Sequence, residues 1–248
     1  MKYKVLLAAS ALLLGAVLTA RAQTNLQVFY DFGKDRQQVT STLEGFYSDK
    51  WGNTFFFIDY DYQLGSNAWN KSPNGTYFEI ARCLNFWQDS PLAPLSLQVE
   101  YNGGVYRQFT VNHAFLVGAD WFLHSDDFRN TFNFKVLYKG IAYPTSGMRS
   151  KLPMQFTFVW GMNDLFGVQG LRFSGFADFW GEEHYLYEDR QGNPLAGERS
   201  DFVFISEPQL WYKVGEHLNL GGEIELSYDF GTCQGFRARP CLGVKWDF

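Results

Sequence analysis

Within the stretch LRFSGFADFW (171–180), Arg172, Phe176, Asp178 and Trp180 recur at even spacings. On a strand, a guanidinium, a ring, a carboxylate and a second ring would then share one face, because strand side chains alternate sides. Similar mixtures stand elsewhere: Phe55, Phe57 and Asp59 in FFFIDYDY, Glu79 in TYFEIARCL, and Glu207 with Trp211 in ISEPQLWYK. These groups suit weak, reversible binding of a flat polar solute. Ring stacking is worth about 1–3 kcal/mol per base, while carboxylates and guanidinium groups meet hydroxyls and ring edges. A water-filled passage lined by charges and space-filling rings uses the same residue types, so both roles stay open at this point.

Bond-making chemistry finds less support. The histidines are His113, His124, His184 and His217, and none has a recognisable nucleophile beside it. His124 precedes Ser125 directly, but neighbours on a strand face opposite ways and the pair reads as a turn. There is no Gly-x-Ser-x-Gly and no His/Cys cluster with ligand spacing, so no catalytic, metal or cofactor site is assigned. Cys83, Cys233 and Cys241 are too few for a disulfide framework. A Cys233–Cys241 bridge stays open.

The elements that would position these residues are strands. Read backwards in twos, the end of the chain gives Phe248, Trp246, Val244, Leu242, Pro240, Ala238 and Phe236, while the interleaved set is small or charged. A helix repeats near 3.6 residues and cannot produce this alternation. In TFNFKVLYK, Phe132, Phe134, Val136 and Tyr138 oppose Asn133, Lys135 and Lys139; in HLNLGGEIELSYDF, Leu218 through Phe230 oppose His217 through Asp229. About twelve such segments follow one another, each roughly as long as a membrane-crossing strand. Three read less cleanly: VTSTLEGFY has a thin apolar face, VNHAFLVGADWF is apolar on both faces, and Arg82 lands on the apolar face of its segment.

A soluble β-sandwich also alternates. Faces that are aromatic throughout, such as Phe156, Phe158 and Trp160, instead match a lipid-facing band with aromatic girdles. The expected fold is therefore an all-β transmembrane antiparallel barrel of about twelve strands. Its edges must close, since lipid offers no partner to a bare strand edge. Short turns on one side would alternate with longer loops on the other, and the polar stretch 181–200 reads as the longest loop. Parity places Phe55, Phe57, Asp59, Glu79, Arg172, Phe176, Asp178, Trp180, Glu207 and Trp211 inside, with Tyr77, Glu100, Asp120, Lys135, Lys139, Glu223, Glu225, Arg237 and Arg239.

Composition fits. Aromatics make up 19 % of the 248 residues, yet mean hydropathy is only −0.23. The net charge of −5 lacks the basic footprint of a nucleic-acid binder. Lys2 and Lys4, an apolar run from Val5 to Leu18 and the Ala20-Arg21-Ala22 site read as a secretory leader cleaved after Ala22, leaving residues 23–248 as one domain. About 14 apolar residues fall short of the roughly 20 that a spanning helix needs.

The order TLEGFYSDKWGNTFFFIDYDYQLG, a Gly/Asn/Trp loop and GTYFEIARCLNF resembles the Tsx-like nucleoside-specific channel-forming outer-membrane proteins, as does LRFSGFADFWGEE. The likeness also fits a sister group of small barrels of unassigned substrate. It implies a monomeric twelve-stranded barrel in the outer membrane of a Gram-negative-type bacterium, with a narrow passage for nucleosides and outer-membrane lipid around it. Phe248 resembles the terminal signal read by the barrel assembly machinery. SDFVFISEPQLWYK and the cysteine pair depart from the Tsx pattern. Two other classes remain beside the channel: an adhesive or structural barrel whose loops bind partners, and a barrel hydrolase or acyltransferase acting on lipid. Deleting Phe248 is expected to slow assembly and leave protein in the periplasm. Fractionation and heat-modifiable gel mobility check this; unchanged outer-membrane yield would reduce Phe248 to one more lipid-facing residue.

Overall fold

The computed structural model describes residues 21–33, 37–63, 74–107 and 110–248. Nearly all of the expected leader and most of the 65–75 loop lie outside these residues. The strands are β1 (Arg21–Asp31), β2 (Gln38–Asp49), β3 (Gly52–Gln63), β4 (Gly75–Leu84), β5 (Leu95–Tyr106), β6 (Thr110–His124), β7 (Asn130–Ile141), β8 (Met154–Asn163), β9 (Leu171–Glu188), β10 (Pro194–Ser206), β11 (Gln209–Lys213), β12 (Leu218–Tyr228) and β13 (Phe236–Asp247). Strands β1 to β10 pair antiparallel in sequence order, as do β11 to β13, and β13 returns to β1 from Asn25↔Asp247 to Asp31↔Cys241. The sheet is a closed transmembrane barrel.

Thirteen strands fill twelve positions, because β10 and β11 share one. Both pair with β9 on one side and β12 on the other. The break falls at Glu207–Pro208, where proline brings no N–H to the ladder. Opposite it, Gly175 adopts φ +153°, and a Cβ there would strike the Glu207 carbonyl. The freed groups find partners nearby: the Glu207 N–H donates to Phe176 O (3.1 Å) and the Ile224 N–H to Pro208 O (3.1 Å).

Burial follows parity. Phe134, Val136 and Tyr138 are 49 %, 47 % and 52 % exposed, whereas Leu137 between them is 0 % exposed. This outward apolar surface belongs against lipid. The doubly apolar β6 resolves the same way, with Phe115 and Val117 outward and Ala114 and Leu116 packed on Leu137 inside. Arg82 does face outward, near a turn, where it reaches Asp49 (2.8 Å) and Thr54 (3.2 Å).

Two expectations change and one open alternative closes. Phe230, assigned outward, packs on the inward Trp180 (ring centroids 6.4 Å). The stretch 181–200 is not a loose loop: β9 and β10 continue through it, leaving only 189–193 as the turn. Its polarity resembled a loop, but backbone pairing does not require apolar side chains. No disulfide joins Cys233 and Cys241; the Cys241 thiol instead donates to Arg239 O (3.7 Å).

Both chain ends of the barrel and the turns β2–β3, β4–β5, β6–β7, β8–β9 and β11–β12 share one rim, the terminal end. Phe134→Arg is expected to cost about 2–4 kcal/mol, as arginine does at the bilayer midplane. Asn133→Arg next to it, facing Asp120 in the interior, should cost little. Gln155 does not share that tolerance, being buried against Lys139. Urea titration in liposomes checks the contrast, and equal costs would contradict a lipid-facing Phe134.

Candidate functional site: the barrel interior

Direct cross-strand pairs share a face, so the register settles which side chains point inward. Phe57 stands opposite Glu79 and Asp59 opposite Tyr77. Thr157 stands opposite Asp178, Val159 opposite Phe176 and Asn163 opposite Arg172. Along β3 and β4 the inward rings form a run, with Phe55–Phe57 centroids 5.9 Å apart and Phe57–Tyr77 5.6 Å apart. The Tyr77 hydroxyl donates to Glu79 (3.3 Å), and the Thr42 hydroxyl donates to Asp59 (2.5 Å). Solvent reaches this wall and the facing one made by Lys135, Thr157, Val159, Phe176 and Asp178. The two walls lie within electrostatic reach, Glu79 sensing Asp178, Lys135 and Lys139.

Other sectors are filled. Trp211 is 1 % exposed and lies against Phe29 (5.6 Å), with the Lys245 ammonium 4.7 Å from its ring centre. Gly221 and Gly243 leave room for it: a Cβ would come within 2.8 Å of the Trp211 ring at Gly221 and 2.6 Å of the Phe29 ring at Gly243. Val203 and Ile205 on β10, and Gln98 and Glu100 on β5, are also buried.

The predicted passage residues therefore separate. Phe55, Phe57, Asp59, Glu79, Phe176 and Asp178 face the open part of the bore. Arg172 stands at its terminal end, donating to Asn163 (3.0 Å). Trp180 and Trp211 are packed, and Glu207 sits in the strand break. Thr157 and Val159 join the open wall without having been singled out. Their inward parity was readable, but their short uncharged side chains gave no chemical signal.

Toward the loop end the inward side chains are packed together. There Lys139 donates to Gln155 (2.7 Å) and stands 4.2 Å over the Trp180 ring, whose N–H donates to Glu182 (2.7 Å). Glu182 also accepts from Asn112 on β6 (2.9 Å). The β9–β10 hairpin leans over this rim, its tip held by the inward Arg237 through Glu188 (3.0 Å). The Tyr187 N–H donates to Thr232 O (2.8 Å), and the Gln234 side chain donates to Glu198 (2.6 Å). At the tip, hydrogen bonds from the Asn193 side chain and backbone hold the Asp189 carboxyl below its usual range. On the hairpin's other flank the Glu183 N–H donates to the Tyr143 hydroxyl (3.1 Å), which burial pushes up to about 12.

A family model described as a domain of unknown function (DUF5020) matches residues 22–248. The chain belongs to that family. No curated protein matches the sequence. Among solved structures this DUF5020 chain is similar to the NanC porin, at TM-score 0.55 and 8 % identity over 91 % of this chain and 100 % of that one. It is also similar to the KdgM porin, at TM-score 0.50 and 9 % identity over 91 % and 99 %. A complex of the KdgM porin with disordered oligogalacturonate matches at TM-score 0.48 and 8 % identity, over the same 91 % and 99 %. At such identities the likeness is one of fold, that of small porin barrels; it reaches the kind of barrel that the Tsx resemblance implied, but not the Tsx family itself.

Trp211→Ala is expected to open the filled sector, raising single-channel conductance while costing about 3–5 kcal/mol of stability. Planar-bilayer recordings and urea titration check both. Unchanged conductance would mean that this sector does not bound the bore.

Proposed function

We propose that the chain is an outer-membrane channel for passive uptake of small solutes, with nucleosides as its solute class. It acts as a monomer in a Gram-negative-type envelope, exported by its leader and assembled through Phe248. The terminal end faces the periplasm, and the β9–β10 hairpin faces outward. The observation that carries this reading is the solvent-reached pair of walls. One bears the ring run Phe55–Phe57–Tyr77 beside Asp59 and Glu79, and the other bears Phe176 and Asp178. A base can stack on either wall while ribose hydroxyls meet carboxylates, an interaction strong enough to concentrate a solute and weak enough to release it. The porin fold supports a conduit rather than a reaction site.

Liposome swelling with nucleosides, free bases, sugars and amino acids tests the solute. Phe57→Ala or Phe176→Ala should weaken nucleoside block of ion current by roughly 3- to 30-fold, the loss of part of a 1–3 kcal/mol stack. Open-channel conductance should hold or rise. If nucleosides leave the current of the unmutated channel untouched, the nucleoside assignment falls.

A further inference from the structure

The charges inside the barrel are unevenly shared. Strands β2 to β6 turn Glu44, Asp59, Asp61, Glu79, Glu100 and Asp120 inward and no lysine or arginine. The inward cations stand on the remaining strands: Lys135 faces the open path opposite Asp120, and several others are engaged. Arg239 pairs with Glu225, Arg237 with Glu188, and Lys139 is held by Gln155 and the Trp180 ring. The carboxylates of Asp59 and Glu79 border the solvent-reached path, each also accepting from a hydroxyl, Thr42 and Tyr77, and Glu79 lies within electrostatic reach of Glu100 and Asp178 as well as of Lys135 and Lys139.

Asp178 stands on the facing wall, within electrostatic reach of Glu79. Crowded carboxylates repel one another, and a mobile cation passing between the walls lowers that repulsion.

We propose that the bore passes cations in preference to anions, and that among organic ions of similar size it favours those carrying a protonated amine or amidine. Asp59, Glu79 and Asp178 set this preference. The ring faces of Phe57 and Tyr77 reinforce it, since aromatic faces attract cations; the interior already holds two such contacts, Lys139 over Trp180 and Lys245 over Trp211. The proposal rests on the channel reading given above but not on nucleosides as its solute.

The test is the reversal potential of the full-length protein in planar bilayers under a KCl gradient, followed by current block with tyramine and with benzoate. A potassium-to-chloride permeability ratio of about 10 or more is expected, the scale on which charged clefts enrich counter-ions. Tyramine should block and benzoate should not. Glu79→Gln and Asp178→Asn, each checked for folding by heat-modifiable mobility, should lower the ratio severalfold. Asp127→Asn in the β6–β7 turn should leave it unchanged. A ratio at or below one in the unmutated protein overturns the cation preference while the channel reading stands. A high ratio indifferent to Glu79→Gln, Asp178→Asn and Asp59→Asn overturns the assignment to these carboxylates. Absence of any conductance overturns both readings.

Discussion

Everything in this molecule depends on one requirement: in hydrocarbon, no backbone N–H or C=O can be left without a partner. That requirement closes the sheet through β1 and β13, and it governs how the one irregular position is built. Pro208 brings no N–H, yet its carbonyl accepts from Ile224, and Phe176 O accepts from the Glu207 N–H. Gly175, in a conformation that a side chain would strain, lets the two pieces of broken strand share one slot. The interruption is tolerated because its polar groups are bonded within the wall.

Closure sets the radius, and the radius makes the interior a packing problem. A ring of twelve strands leaves limited room, so large inward side chains compete for it. They settle unequally. Trp211 spreads over Gly221 and Gly243 toward Phe29, spanning from β11 to β1. Across the barrel, β3–β4 and β8–β9 carry side chains that leave space between them. The passage is eccentric, and a handful of residues on two walls govern it.

This division explains which parts of the molecule were legible in the sequence. Period-two alternation located every strand position, including the split one, because the second half of β10 and all of β11 lie in the single stretch SDFVFISEPQLWYK. Parity within a strand likewise placed Arg172, Phe176, Asp178 and Trp180 on one inner face. Parity says nothing about depth. Trp180 and Phe176 look equivalent in the sequence, but Trp180 is buried by Lys139 and Val203 from other strands and by Phe230 from the β12–β13 turn, whereas Phe176 stays in contact with solvent. Contacts between strands distant in sequence depend on the closed radius, which no local pattern encodes. The hairpin at 181–200 was misread for a related reason: Glu182, Glu183 and Glu188 look like loop residues until their partners Asn112, Arg199 and Arg237 are seen.

The seam between β1 and β13 has a consequence for how the molecule comes into being. It joins the two strands furthest apart along the chain, down to the Phe248 N–H donating to Thr24 O (3.0 Å). Every other pairing links sequence neighbours or, at the split position, strands two apart, and can form locally. Until the seam forms, a nearly finished sheet presents two bare edges, each a template for a second copy of the same chain. Such a late, long-range contact makes folding slow. The interval before it forms is when the polypeptide is most prone to aggregate, so its survival in the cell depends on whatever shields those edges until the last ladder closes.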